Sequence, residues 1–293
     1  HVDTRDMVTF TGSAATGKLL KGLPRISEQS VSFNLEADSL NATILGKKAV
    51  PGTAEFDLFI KETVKEMTIK AGQKCTAVRR ILVPDELIDE VQVAISSRLA
   101  TTIMGNPSEE GVRMGPLATR LQAERVRASV DELAKSQQIV FGDLDHFELK
   151  GSTAKREAFF PPVLFRNNQP FQQTAVHDIE AFGPVATIMP YKEIDDAIEL
   201  AKMGKGSLVS SIVTPDNQEA RDYVVGAASM HGRILVLNEQ CAKESTGHGS
   251  PMPLLTHGGP GRAGGGEEMG GKRGVLHYLQ RTAIQGHPTT ITA

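Results

Sequence analysis

Between residues 159 and 237, short runs of strand-forming residues alternate with runs of helical periodicity, and this alternation constrains the fold more than any other feature. Phe159-Phe-Pro-Pro-Val-Leu164, Val185-Ala-Thr-Ile-Met189, Ser207-Leu-Val-Ser-Ser-Ile-Val213 and Arg233-Ile-Leu-Val-Leu237 read as strands, with helices over 194–203 and 217–228. Parallel neighbours need a crossover long enough to hold a helix, and strands covered on both faces read as continuous apolar runs. The pattern therefore predicts an α/β layer with a mostly parallel sheet and helices on both faces.

The first 136 residues add elements of both kinds. Met7-Val-Thr-Phe10 has a buried-strand pattern and runs through Thr11-Gly-Ser13 into a helix start, where backbone amides and the helix dipole favour a phosphate or ribose. Gly12 and Gly17 are five residues apart, which fits neither the dinucleotide-binding pattern nor a phosphate loop, so turn glycines with no ligand are the better explanation of the pair. Val31-Ser-Phe-Asn-Leu35 alternates like a strand ending at Glu36, and Asn41-Ala-Thr-Ile-Leu45 follows as another. Helices are predicted over 53–70, 85–102 and 119–136, with Gly105-Asn-Pro107 and Gly115-Pro116 as breakers.

Only Cys75 and Cys241 are present, which leaves no disulfide framework and suits a reducing, cytoplasmic setting. No apolar run approaches the roughly 20 residues that a bilayer requires. Thirty-two basic and 35 acidic residues, spread along the chain, give no footprint for nucleic acid or a membrane surface. His248 and His257 lie in Gly/Pro-rich loops with no cysteine or carboxylate at ligand spacing, so no metal site is expected, and a part in shaping a substrate mouth is the alternative. Cys241, beside the run 233–237, reads as a packed residue.

Cys75 is the more informative thiol. Gly72 ends the helix over 53–70 three residues before it, so the thiol is expected on a turn near a fresh helix N-terminus, where the dipole favours a thiolate. Lys74, Arg79 and Arg80 add positive charge nearby. On these residues alone Cys75 reads equally as a nucleophile or as a small buried hydrophobe.

Gly72-Gln-Lys-Cys75 resembles the Gly-Gln-x-Cys nucleophile motif of the aldehyde dehydrogenase superfamily. Thr9-Phe-Thr-Gly-Ser13 is similar to the family's strand and turn beside the nicotinamide, Leu35-Glu36 to its general-base segment, and Glu180-Ala-Phe-Gly-Pro184 to its Glu-x-Phe-Gly-Pro motif. These four motifs fall in family order over essentially the whole chain. Finer runs, Glu36-Ala-Asp-Ser-Leu-Asn41, Ala242-Lys-Glu-Ser-Thr-Gly-His-Gly-Ser-Pro251 and His257-Gly-Gly-Pro-Gly-Arg-Ala-Gly-Gly-Gly-Glu-Glu268, resemble the semialdehyde dehydrogenases of phenylacetate and benzoyl-CoA catabolism.

The resemblance implies the C-terminal part of an aldehyde dehydrogenase-like α/β fold. Residues 1–38 would end a Rossmann-like cofactor domain, 39–264 would form a parallel-sheet catalytic domain, and 265–293 a return segment and oligomerisation strand. Within that last part, 278–292 is expected as a strand joining a neighbouring subunit, giving a dimer or larger homo-oligomer. Cys75 is implied as nucleophile, Glu36 as general base, Gly12 and Ser13 as neighbours of the nicotinamide end, and Glu180 and Phe182 as holders of its ribose and ring, with NADP or NAD as cofactor. The implied reaction oxidises a small aldehyde, for this subfamily a CoA-linked semialdehyde, to its acid through a thioester that water hydrolyses. Glu36 separates the chain from CoA-acylating relatives, which commonly lack such a base.

The chain opens at His1 without a methionine and reads as the later part of a longer protein. Most of the nucleotide-binding sheet and an oxyanion-hole asparagine would then precede it, and this stretch alone is expected to be a poor enzyme. A fused hydratase domain is implied for the full-length protein, although nothing after Gln285 resembles one. Glycines 258, 259, 261, 264, 265 and 266 match the family's tight crossing behind the catalytic loop, and Arg262 and Lys243 are either contacts for a CoA phosphate or carboxylate or solvated charges. Two other readings stay open: a non-catalytic assembly module of the same fold, and a cofactor-independent thioesterase using Cys75.

Overall fold

A computed structural model describes residues 1–151, 156–252, 255, 257–268 and 271–292. The chain begins with β1 (Met7–Thr11), α1 (Ala14–Lys21), α2 (Pro24–Glu28), β2 (Ser32–Glu36), β3 (Ala42–Leu45) and α3 (Ala54–Thr68). It continues with β4 (Arg80–Pro84), α4 (Ile88–Ala100), α5 (Arg120–Leu133), β5 (Gln138–Phe141), β6 (Val163–Arg166) and β7 (Val185–Tyr191). Then come α6 (Ile194–Lys202), β8 (Ser207–Val213), α7 (Asn217–Ala227), β9 (His231–Leu237), a small hairpin of β10 (His257–Gly258) and β11 (Glu267–Glu268), α8 (Gly271–His277) and α9 (Pro288–Ile291).

Seven strands form one sheet in the order β5-β6-β7-β4-β3-β8-β9, parallel throughout except for the β5–β6 pair. Successive strand residues point to opposite faces, and the core divides accordingly. Leu45, Ile81, Val83 and Ile188 pack with α3 and α4 on one face, whereas Ile44, Leu82, Met189 and Ile212 pack with α6 and α7 on the other. The predicted doubly covered parallel sheet is thus the observed one. A separate pair, β1 parallel to β2, aligns Thr11 with Glu36, so the carboxyl ends of both strands finish side by side.

Three elements differ from expectation. β1 is half-exposed rather than buried, because β2 is its one sheet neighbour among the described residues. The strand expected from residue 159 begins at Val163, since Pro161 and Pro162 carry no N–H to donate to a ladder. Residues 278–292 form no strand: they lie exposed, and Pro288 opens the short helix α9. An extended segment with no neighbour leaves its backbone groups to water. Of the expected return segment, residues 269, 270 and 293 lie outside the described residues.

Candidate active site

Cys75 sits on the turn that leads into β4, and Glu36 closes β2. The turn is fixed from β3's approach. Asn41 Nδ2 donates to the carbonyls of Cys75 at 2.8 Å and Ala77 at 2.9 Å, while the Asn41 carbonyl accepts from Arg79 N and Arg80 N, both at 3.1 Å. Asn41 Oδ1 in turn accepts from Ser39 Oγ at 2.5 Å and from Val209 N at 3.1 Å. Thr76 Oγ1 donates to the Gly249 carbonyl at 2.9 Å. A buried side-chain amide with its donors and acceptor all used leaves the nucleophile turn little freedom.

The helix expected after Cys75 is absent. Residues 77–79 lead straight into β4, because Asn41 Nδ2 occupies the Cys75 and Ala77 carbonyls that a helix would use as acceptors, and Arg80 N donates to the Asn41 carbonyl instead of back to Thr76. The nearby cations are also spoken for. Lys74 Nζ pairs with Glu66 at 3.1 Å. Arg79 donates to the carbonyls of Gly183 at 2.6 Å and Gly72 at 2.8 Å. Arg80 points to the far side, donating to the carbonyls of Leu40, Leu200 and Ala201.

Gly12, Ser13, Glu36, Cys75, Glu180 and Phe182 line one cavity of about 500 Å³, so the structure brings all six sequence-named site residues together. Ser13 caps α1, its side chain accepting from Thr16 N, and Asp38 Oδ1 accepts from Ala14 N at 2.9 Å. Glu180 Oε2 accepts from Ser39 N at 3.3 Å and Oε1 lies 3.6 Å from Arg79 Nε. Burial outweighs that cation and pushes the Glu180 carboxyl up to about 7. The Arg79 guanidinium also stacks over the Phe182 ring at 5.5 Å. Arg79 therefore orients both Glu180 and Phe182, a role its sequence neighbourhood did not reveal.

His257 is the second residue the sequence left unassigned. Its Nε2 lies 3.7 Å from Cys75 Sγ and 3.6 Å from Glu36 Oε1, and one ligand-type atom from each of the three falls within 4.8 Å of the others. This corrects the expectation that His257 has no thiol or carboxylate near it: spacing along the chain was the wrong measure. The contacts with Cys75 and Glu36 hold the ring's pKa up at about 10. His248 is different. It is buried, with Nδ1 2.8 Å from Ser211 Oγ, and burial takes it down to about 3, so it shapes no substrate mouth.

The glycine-rich run places His257. Gly264 and Gly266 pass so close to β2 that a Cβ on either would sit 2.3–2.4 Å from the Leu35 carbonyl oxygen, and Gly264 has φ +104. Ala37 N donates to the Ala263 carbonyl at 3.0 Å, and Asn34 exchanges hydrogen bonds with the backbone of Glu267 at 2.9 and 3.0 Å. Arg262 donates to the carbonyls of His177 and Asp178, so its guanidinium is a structural tie. Cys241 packs at the edge of the first core layer.

A parallel α/β sheet beside a two-strand unit brings a thiol and a carboxylate to one cavity. Residues 2–284 match the aldehyde dehydrogenase family, and the chain belongs to that family. It is 44% identical over 260 residues to a 3,4-dehydroadipyl-CoA semialdehyde dehydrogenase of Aromatoleum evansii, covering 89% of this chain and 50% of that protein. It is 51% identical over 179 residues to Protein MaoC of Klebsiella aerogenes, covering 61% of this chain and 52% of that protein. The fold matches a betaine aldehyde dehydrogenase of Staphylococcus aureus solved with NAD+ (TM-score 0.79, 24% identity, 94% of this chain and 51% of that one). The chain thus spans about half the length of the curated relatives it matches. Among the described residues no helix is long and apolar enough to cross a membrane.

Proposed function

We propose that this chain carries the nucleophile and base of an NAD(P)-dependent aldehyde dehydrogenase whose substrate is a CoA-linked semialdehyde of aromatic catabolism. The observation that carries the reading is the meeting of Gly12, Ser13, Glu36, Cys75, Glu180 and Phe182, from four separate segments, around one cavity. The substrate class is supported by the 44% identity to the Aromatoleum enzyme.

The residues fit the nicotinamide end of a dinucleotide: a capped helix start at Ser13, an aromatic face at Phe182, and a buried carboxylate at Glu180 suited to ribose hydroxyls. Cys75 Sγ adds to the aldehyde carbon, giving a thiohemiacetal whose oxyanion is met by N–H groups of the Cys75 turn, each donor worth about 3 kcal/mol. An oxidised nicotinamide, when bound, supplies the acceptor for the departing hydride. Glu36 then takes a proton from the water that attacks the resulting thioester, and Cys75 departs as the thiolate.

The reading extends to assembly. Leu276, Leu279, Ile284 and Ile291 are exposed on the C-terminal segment, and a second copy of the chain is the proposed partner that covers them. A fused hydratase domain belongs to the proposal for the full-length protein.

The test is turnover by the full-length protein with a CoA-linked medium-chain semialdehyde and NADP or NAD. Cys75→Ala is expected to lose at least about a thousandfold in rate. Glu36→Gln is expected to keep a single burst of nicotinamide reduction and to trap an acyl group on Cys75, visible by mass. Wild-type turnover in Cys75→Ala sinks the reading.

A further inference from the structure

We propose that His257 is a catalytic residue that takes the proton of the Cys75 thiol, so that the resting nucleophile is a thiolate held against an imidazolium, with Glu36 as the opposite counter-charge. The inference deepens the reading of Cys75 as the nucleophile, but its test needs neither aldehyde nor cofactor.

The geometry supplies the first part of the argument. A single ring nitrogen, Nε2, faces both Cys75 Sγ at 3.7 Å and Glu36 Oε1 at 3.6 Å. The ring is mostly buried and the Glu36 carboxylate almost wholly so, which strengthens both charge contacts relative to water. The groups that act on the ring from the packed elements are Glu36 from the end of β2 and Cys75 from the turn before β4.

Elimination supplies the second part. A reactive thiol needs positive charge close by, and no helix starts behind Cys75 to provide a dipole. Lys74 is held by Glu66, and Arg80 is turned to the far side of the sheet. Arg79 is engaged by Glu180, 3.6 Å away, and by the carbonyls of Gly183 and Gly72. His257 is the cation in contact with the sulfur.

Comparison within the chain supplies the third part. His231 and His248 are buried against the hydroxyls of Ser207 and Ser211, and both are neutral. Burial, helped by nearby cations such as Arg80 and Arg233, holds these two histidines down, and His257 departs from that pattern because it faces a thiol and a carboxylate. The hairpin that carries it is tied to β2 through Asn34, Leu35 and Ala37, so its position does not rest on one side chain.

The step is a proton transfer: the S–H bond breaks, the proton moves to Nε2, and the electron pair stays on sulfur. When the thiolate adds to a carbonyl carbon, its charge passes to the oxygen and the imidazolium remains paired with Glu36.

The experiment follows alkylation of Cys75 by iodoacetamide against pH, with peptide mass mapping to read Cys241 separately, in the wild-type chain and in His257→Phe and His257→Gln. The wild-type rate is expected to hold through pH 7 and to fall only in the acid range. Both variants should lose rate already below the ordinary thiol value of about 8.5, reacting about tenfold or more slowly at pH 7. A wild-type rate that itself falls below about pH 8.5 overturns the proposal without any variant. Coincident profiles for all three proteins overturn it too, as does a His257→Gln profile matching wild type, which would assign the contact to neutral hydrogen bonding. If Cys75→Ala abolishes turnover while the alkylation profiles coincide, the nucleophile stands and the role of His257 falls.

Discussion

Gly72→Ala tests whether two backbone segments must touch for the site to exist. Gly72 has φ +68, and a Cβ there would lie 2.2 Å from the Gly183 oxygen, 2.3 Å from its carbonyl carbon and 2.6 Å from Pro184 N. An L-residue at positive φ costs about 1–2 kcal/mol. The obstruction is backbone, so one segment must move, at about 1–3 kcal/mol by analogy with overpacked cores. The sum is about 2–5 kcal/mol, or about 4–10 °C in Tm for a chain of this size. Gly52→Ala is the internal control, because Gly52 has φ +91 but nothing within 4 Å of its Cβ position, and it should lose only the positive-φ cost of about 1–2 kcal/mol. The contact also matters for chemistry: Arg79 bonds the carbonyls of both Gly72 and Gly183, so separating them moves Glu180 and Phe182 away from Cys75. Thermal and urea unfolding of the two variants read the energies. If Gly72→Ala loses no more than Gly52→Ala, the close approach is not what joins nucleophile and cofactor clamp.

Arg80→Met should cost about 3 kcal/mol, since it strips the donors from the buried carbonyls of Leu40, Leu200 and Ala201; a urea midpoint within experimental error of wild type contradicts this. Acid should destabilise the fold through histidines rather than carboxylates. Burial holds His177 at about 4 and His231 and His248 at about 3, so the unfolded chain binds protons below about 6.5 that the fold refuses. Glu180 opposes them: with its carboxyl raised to about 7, the fold gains stability as pH falls from 7 to 4.5. At pH 4.5 that gain is about 3 kcal/mol, and each of the three histidines costs about as much, so the urea midpoint should fall between pH 6.5 and 4.5, and a rise refutes the balance.

The parts of this protein that were legible in its sequence are those where the determinant is local. Gly72 marks the region of a break, although the helix already ends at Thr68 and Lys70 and Ala71 also take positive φ, and the sheet announces itself through runs such as 207–213, apolar enough to be covered on both faces. The errors share a cause. The break before Cys75 suggests a helix after it, but the carbonyls that helix would use as acceptors are taken by Asn41, more than 30 residues earlier. Arg79 and Arg80 were indistinguishable as neighbours, yet the alternation of an extended chain sends one to the site and the other through the sheet. His257 and His248 both sat in glycine-rich loops, and composition offered no reason to separate them. What separates them is the partner each meets, a hydroxyl for His248 and a thiol 182 residues away for His257. Charge on a histidine is decided by what lies across the fold, so the residue that bears most directly on the reactivity of Cys75 was the one its own sequence neighbourhood described least.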